Sequence, residues 1–485
     1  MEKIRASLLF CLFALLALTA CQDDEDFSQS ASDLLTFSAD TIRLDTVFST
    51  VPSSTRSFWV YNRSGHSLRC TNVRLENGNQ IGFRVNVDGT YLSPEAGYQA
   101  SDIEVRKNDS IRVFVELTSS RNFGDAPTLI EDNLVFILES GVRQKVNLNA
   151  FSWDATIARG LTVTSDSTID ASERPLVVYG GIDVAENATL TIAPGSTLYF
   201  HDGAGLNVHG RLIAAGEQGR EVTLRGDRLD NMFDYLPYNY VSGQWAGVRL
   251  YESSYDNRIT YTDIHSSYDG LVVDSADVER LKLTLDHSTI HNCQGSALSV
   301  TNTYVTVSNC QLTNTLGHCL LLDGGRMTVN NCTLAQFYPY DSARGTALHV
   351  QSTKTPVWEF ACLNTLITGY GSDEMTIERV EDRQEECNFA FDHCIIRTPR
   401  LETEDSLRFT HVVFEDATDT AQAARKHFLL IDEDNLRYDF HLTATSPAVG
   451  AADSLTALPT DRTGLRRDER PDIGAYEYVE PTGEE

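Results

Sequence analysis

The second half of the chain repeats itself, and a short-period repeat restricts the fold severely, because each unit must bury its apolar face against the next. LDHSTI at 285–290, VSNCQL at 307–312 and VNNCTL at 329–334 follow one another at intervals of 22 residues. FDHCII at 391–396 and FTHVVF at 409–414 extend the series, and ITYTDI at 259–264 is a weaker copy. A second element follows each of three units, GSALSV at 295–300, GHCLLL at 317–322 and GTALHV at 345–350; the last stands six residues further on, the mark of an inserted loop. Val305 and Val307 share one face, as do Cys310 and Leu312, but the two pairs are one residue out of phase, so the chain turns between them. Asn309 stands at the break and Asn331 one unit later, and Asn tolerates the left-handed conformation of a tight bend. Three short strands per rung, a tight corner and this period predict a right-handed parallel β-helix. A leucine-rich horseshoe would need more leucines and a helical stretch.

Equivalent positions then stack along the axis. Cys310 and Cys332 become inward neighbours, Asn309 over Asn331 an amide ladder, and His287, His393 and His411 line the same corner rather than serving catalysis or a metal. The cysteines that remain beyond residue 21, seven of eight of them in the second half, are expected as small core fillers, since no zinc-type spacing occurs. Neither a metal nor a cofactor is expected.

Residues 35–152 alternate differently. FWVYN at 58–62, FRVNV at 83–87, IRVFVEL at 111–117, LVFIL at 134–138 and VNLNA at 146–150 have the period of half-buried antiparallel strands, and about seven such strands predict a β-sandwich. Their order resembles the immunoglobulin-like modules at the N-termini of bacterial surface lipoproteins, which implies a spacer or packing module. At the N-terminus, Lys3 and Arg5 precede the apolar run Leu8 to Leu18, too short for a transmembrane helix and suited to a secretory signal over 1–20. Leu18, Thr19, Ala20 and Cys21 resemble the lipobox of bacterial lipoproteins, which implies that Cys21 carries the fatty-acyl anchor. Asp23, Asp24, Glu25 and Asp26, in the tether 21–34, resemble the signal that exports Bacteroidota lipoproteins to the outer face of the outer membrane.

GIDVAENATLTIAPGSTLYF at 181–200 and the loop ending in GQWAG resemble the entry rungs of bacterial β-helix proteins. Ser446 and Pro447, then Asp472, Ile473, Gly474, Ala475, Tyr476 and Glu477, resemble the closing segment of right-handed β-helix proteins of the choice-of-anchor type. The resemblance covers about residues 160–478 and implies a helix over 153–445 with a closing segment and tail at 446–485. On function it is nearly silent, since this architecture hosts lyases, hydrolases, epimerases and adhesins.

With 39 Lys and Arg against 69 Asp and Glu, a net charge of −30 excludes a nucleic-acid role and disfavours polyanionic substrates. The paired aspartates of pectin-type hydrolases are missing, with GHC at 317–319 the only fragment of their motifs, and Asp323, Arg326, Asp373 and Glu374 are isolated candidates. No catalytic residue is therefore assigned. The more informative feature is aromatic. Phe233, Tyr235, Tyr238 and Tyr240 lie in one loop, and Phe337, Tyr338 and Tyr340 in another at the same corner four rungs on, about 19 Å away at ~4.8 Å per rung. Exposed tyrosine faces suit sugar rings, and Tyr235, Tyr238, Tyr240, Tyr338 and Tyr340 are the candidate glycan contacts. Asp followed by Ser or Thr at Thr41, Thr46, Ser110, Ser167, Ser275, Ser342, Ser406, Thr420 and Ser454 resembles the O-glycosylation signal of exported Bacteroidota proteins, and is equally ordinary turn chemistry. The expected protein is a lipid-anchored, surface-exposed outer-membrane β-helix that binds glycans or acts in display and adhesion without catalysis. The alternatives are a polysaccharide-degrading lyase or glycoside hydrolase, and a purely structural surface protein.

Overall fold

The computed structural model describes residues 26–233, 235–380, 386–399, 407–415 and 422–480. It divides into two compact units, Met1–Asp154 and Ala155–Glu485.

In the first unit, two sheets enclose one core. One sheet orders its strands Leu35–Phe37, Arg56–Asn62, Ser110–Leu117, Phe83–Val87 and Thr90–Tyr91; the other orders Thr41–Phe48, Arg143–Trp153, Thr128–Leu138, Leu68–Leu75 and Gln99–Ala100, with Ile103–Val105 also beside Leu68–Leu75. Alternation decides which side chains meet: Phe58, Val60, Val85, Val113 and Val115 from one sheet pack with Val73, Leu134, Phe136, Val146 and Leu148 from the other. The strands outnumber the seven expected because several are pairings of two or three residues that alternation cannot reveal.

The second unit is a parallel β-helix with three faces. Successive rungs pair in parallel, so that Asp286, Ser308, Asn330, Leu363, Asp392 and Thr410 form one register column on the first face. The second face runs from Thr197–Phe200 through Val222–Gly226, Thr262–His265, Thr289–His291, Gln311–Thr313 and Thr333–Gln336 to Val413–Glu415. Between these faces, Tyr261, His287, Asn309, Asn331, Asn364, His393 and His411 all take φ between 41° and 51°. This is the left-handed corner, and Asn and His are among the residues that enter it at least cost. Inside, Val305, Val307, Cys310 and Leu312 are all buried in one continuous core, and the eight described cysteines are buried as well.

The last helix strand is Val413–Glu415, and beyond it a hairpin of Phe428–Asp432 and Arg437–Leu442 follows. The closing segment then runs back along the second face. Phe337, Leu366 and Ile395 on that face share a second core with Phe428, Phe440, Ile473, Ala475 and Tyr476. Among the described residues the corner amides bond this returning strap and other neighbours, and the amide ladder expected of Asn309 over Asn331 is not formed: Asn331 Oδ1 accepts from the Leu458 amide at 2.9 Å and Asn364 Oδ1 from the Asp453 amide at 2.8 Å, while Asn309 meets His287 and Arg467. Arg467, buried with Glu477 at 3.0 Å, also donates to the carbonyls of Asp472 and Gly474. Arg462 reaches Glu221 through two bonds of 2.9 and 3.1 Å. Gly474 has φ 107°, where a side chain would be strained, and a Cβ there would meet Thr333 Oγ1 at 3.0 Å.

Candidate functional site

The loop after Val222–Gly226 is anchored at its end by Trp245, which stacks on Phe200 at 4.4 Å inside the helix and donates to the His265 carbonyl. Gln244 Nε2 donates to the carbonyls of Tyr238 and Val241, and Ser266 Oγ to that of Asn239, so the loop is tied down at several points. Arg228, paired with Asp230 through two bonds of 2.8 Å, lies 3.9 Å over the Tyr238 ring. In the second loop Phe337 is wholly buried and belongs to the core under the strap.

The two loops are not separate stations 19 Å apart, as rung counting implies. They lean together along the axis: Tyr340 donates its hydroxyl to the Tyr240 carbonyl at 3.2 Å, and the Tyr338 hydroxyl shares a 3.0 Å hydrogen bond with Ser242 Oγ. Rung spacing fixes only where a loop leaves the helix, and both loops are long enough to cross the gap. Tyr338 is 5% exposed and is corrected from a sugar contact to a sealing residue; Tyr238 and Tyr240 are half-buried. The open surface consists of Phe233 and Tyr235, stacked at 5.7 Å and 52% and 63% exposed, with Tyr340 at 44%.

Beneath this loop, sequence reasoning missed a polar cluster. Asp263 and His265 face outward on either side of the inward Ile264, and His291 follows one rung on in register with His265. Asp263 Oδ1 lies 3.0 Å from His265 Nδ1 and 3.2 Å from His291 Nε2, and the two rings stack at 4.9 Å. Burial works against the Asp263 charge, but the imidazoles outweigh it and hold the carboxyl well below its usual range; burial likewise pushes His265 down. Arg225 stands near His265, and Arg462 near Asp263. An ionised carboxylate flanked by imidazoles and guanidiniums can orient a general base or accept an acidic group. The cluster's mark in the sequence is polar residues at outward strand positions, a pattern that matches no established motif.

The isolated candidates do not converge. Arg326 is ion-paired with Glu279 and Glu359, and Asp373 accepts hydrogen bonds from Thr398 Oγ1 and the Met375 amide. Glu374 is buried and accepts from the Gly371 and Ala347 amides, yet burial pushes its carboxyl up to about 8. The folded state thus holds a proton that the unfolded chain releases near 4.5, so this contribution to stability is complete below that value and is lost as pH rises through about 8. Denaturant unfolding of the parent between about pH 5 and 9 should show that decline, and Glu374→Gln should flatten it; parallel profiles would refute the assignment.

The sandwich, expected to be a spacer, also carries an outward feature. Trp59, Phe114 and Tyr91 are exposed on its first sheet, and a cavity of about 330 Å³ there is lined by Arg84, Val85, Asn86, Tyr91, Phe114 and Glu116. Arg112 lies 5.3 Å over Trp59 and 5.1 Å over Phe114. Trp59 and Phe114 occupy the alternate positions of strands whose inward residues announced the core. Of the modification candidates, Ser167, Ser275, Ser342 and Ser454 are exposed, and Thr41, Thr46 and Ser110 are half-buried. Ser406 and Thr420 lie outside the described residues, as do Cys21, Asp23, Asp24 and Glu25; Asp26 is exposed.

Residues 238–354 match the family model of the right handed beta helix region. No curated protein sequence matches the chain. Among solved structures, similarity extends to a protein of unknown function from Porphyromonas gingivalis W83, at 14% identity and TM-score 0.19 over 28% of this chain, and to a family 123 glycoside hydrolase from Clostridium perfringens, at 12% and 0.17 over 25%. The chain spans 58% of the first and 26% of the second. Dex49A from Penicillium minioluteum aligns over 77% of this chain and 75% of its own, at 8% identity and TM-score 0.13. Likeness at these scores carries no argument about function.

Proposed function

We propose that the chain is a lipid-anchored protein on the outer face of the outer membrane, whose β-helix binds a glycan without turning it over. The observation that carries this reading is the convergence of two loops into one exposed aromatic surface, Phe233, Tyr235 and Tyr340, on a rigid parallel scaffold. Flat apolar rings with polar rims stack on sugars at small entropic cost, because aromatic side chains have few torsions to freeze. The immunoglobulin-like module at 35–152 then acts as a spacer between the acylated Cys21 and the β-helix. A catalytic second reading, a polysaccharide-degrading enzyme, is favoured by one observation: Asp263, His265 and His291 form a hydrogen-bonded carboxylate and imidazole cluster beside the same loop.

Glycan-array profiling of the purified chain, followed by product analysis on any retained polysaccharide, separates the readings. Retention without cleavage supports the binding role, cleavage lost in Asp263→Asn supports the enzyme, and no retention removes both. The anchor is tested independently. Cys21→Ser should abolish incorporation of labelled fatty acid and leave an unacylated protein that is either soluble or uncleaved; label persisting in that variant would overturn the lipobox assignment.

A further inference from the structure

We propose that Asp392, His393 and His411 form a binding site for a divalent transition metal of the zinc class, at the far end of the corner ladder. Asp392 Oδ1 lies 2.9 Å from His393 Nδ1 and 3.2 Å from His411 Nδ1, and the donor atoms of all three residues fall within 4.8 Å of one another. Zinc binds nitrogen and oxygen at about 2.0–2.2 Å, which in a tetrahedron separates its ligands by roughly 3.3–3.5 Å. The three donors therefore need only small movements to take one ion between them.

The backbone fixes this arrangement. His393 and His411 occupy successive left-handed corners at φ 47° and 51°, on strands paired in parallel through Asp392 and Thr410, and their rings lie 4.4 Å apart. Elsewhere in the ladder the corner side chain serves the returning strap: His287 bonds Thr460, Asn331 bonds the Leu458 amide and the Asp472 carbonyl, and Asn364 bonds the Asp453 amide and Thr456. At the last two corners that task lapses. Among the described residues the hydrogen-bond partner of both imidazoles is Asp392, and the His411 side chain is 65% exposed. Two imidazoles meeting a single carboxylate oxygen give a corner nothing that one Asn would not.

Surrounding charge separates this cluster from the similar one at Asp263. There Arg225 and Arg462 stand close, and a dication would meet two guanidiniums. Here, among the described residues, the carboxylate of Asp453 also senses both histidines. Two nitrogens and an oxygen, with solvent on the open side, suit zinc, cobalt or nickel better than calcium or magnesium, which take oxygen ligands.

The test uses the untagged chain without its signal segment, titrated with Zn²⁺ alone and with Co²⁺ alone. One ion should bind per chain, and Co²⁺ should give the visible spectrum of nitrogen and oxygen ligation without a thiolate charge-transfer band. His411→Asn, which keeps a residue suited to the left-handed corner, should weaken binding by about tenfold or more. His291→Ala should leave it unchanged. Absence of saturable binding, thiolate ligation, indifference to His411→Asn, or loss in His291→Ala would each overturn the site.

Discussion

Arg467→Ala should destabilise the β-helix unit by about 3–5 kcal/mol, because it removes one partner of a buried ion pair and leaves the other charge uncompensated. Arg467 and Glu477 are both nearly inaccessible, and the guanidinium also satisfies the carbonyls of Asp472 and Gly474. Glu477 in turn accepts from the amides of Asp468 and Asp472, so the loss would spread through the turn that presents Ile473, Ala475 and Tyr476 to the second face. The strap should then open before the helix does. Denaturant curves for the variant should show an early transition, and limited proteolysis should cut between Ser446 and Tyr478 under conditions that spare the parent. Arg467→Lys, which keeps the charge but not the fork, should fall between the two. A single transition at the parental midpoint in Arg467→Ala would mean that apolar burial alone holds the strap.

The fold was legible where local chemistry and repetition agree. Asn309 and Asn331 marked a corner because few residues enter the left-handed region cheaply, and the phase change from Val307 to Cys310 showed that the chain turned there; both lie at φ near 48° with their neighbours buried. His287, His393 and His411 were placed in the same slot by the same argument. The direction of the closing segment was not legible, since its partners lie far away in sequence: Arg462 and Glu221 are 241 residues apart, and neither position has a repeat to mark it. The polar clusters escaped for a related reason. Asp263 and His291, or Asp392 and His411, become neighbours only through stacking of rungs, and each looks like an ordinary outward or corner residue taken singly. The outward aromatics Trp59 and Phe114 belong to the same alternation that revealed Val113 and Val115, but alternation marks the buried face and assigns its outward half no role.

Tyr338→Ala and Tyr235→Ala should give opposite results, although sequence reasoning assigns both residues the same role. Tyr338 is enclosed between the two loops, edge-on to Tyr340 at 5.3 Å and hydrogen-bonded to Ser242, so its truncation leaves a cavity and an unpartnered serine hydroxyl. A change of that kind costs about 3 kcal/mol or more, and the second loop should lose its hold on the first. Tyr235 meets solvent on most of its surface and touches Phe233 on one face, so its removal should change stability by no more than about 0.5 kcal/mol. Glycan retention should respond in the reverse order of directness. Tyr235→Ala should weaken it about tenfold at an unchanged melting temperature, equivalent to ~1.4 kcal/mol of lost stacking. Tyr338→Ala should weaken it only together with a lowered melting temperature, because it acts by letting Tyr340 and Tyr235 drift apart. Melting curves beside binding isotherms for the two variants separate these routes. Full binding in Tyr235→Ala would remove the aromatic surface from the glycan site, and an unshifted melting temperature in Tyr338→Ala would show that the two loops are not sealed to each other.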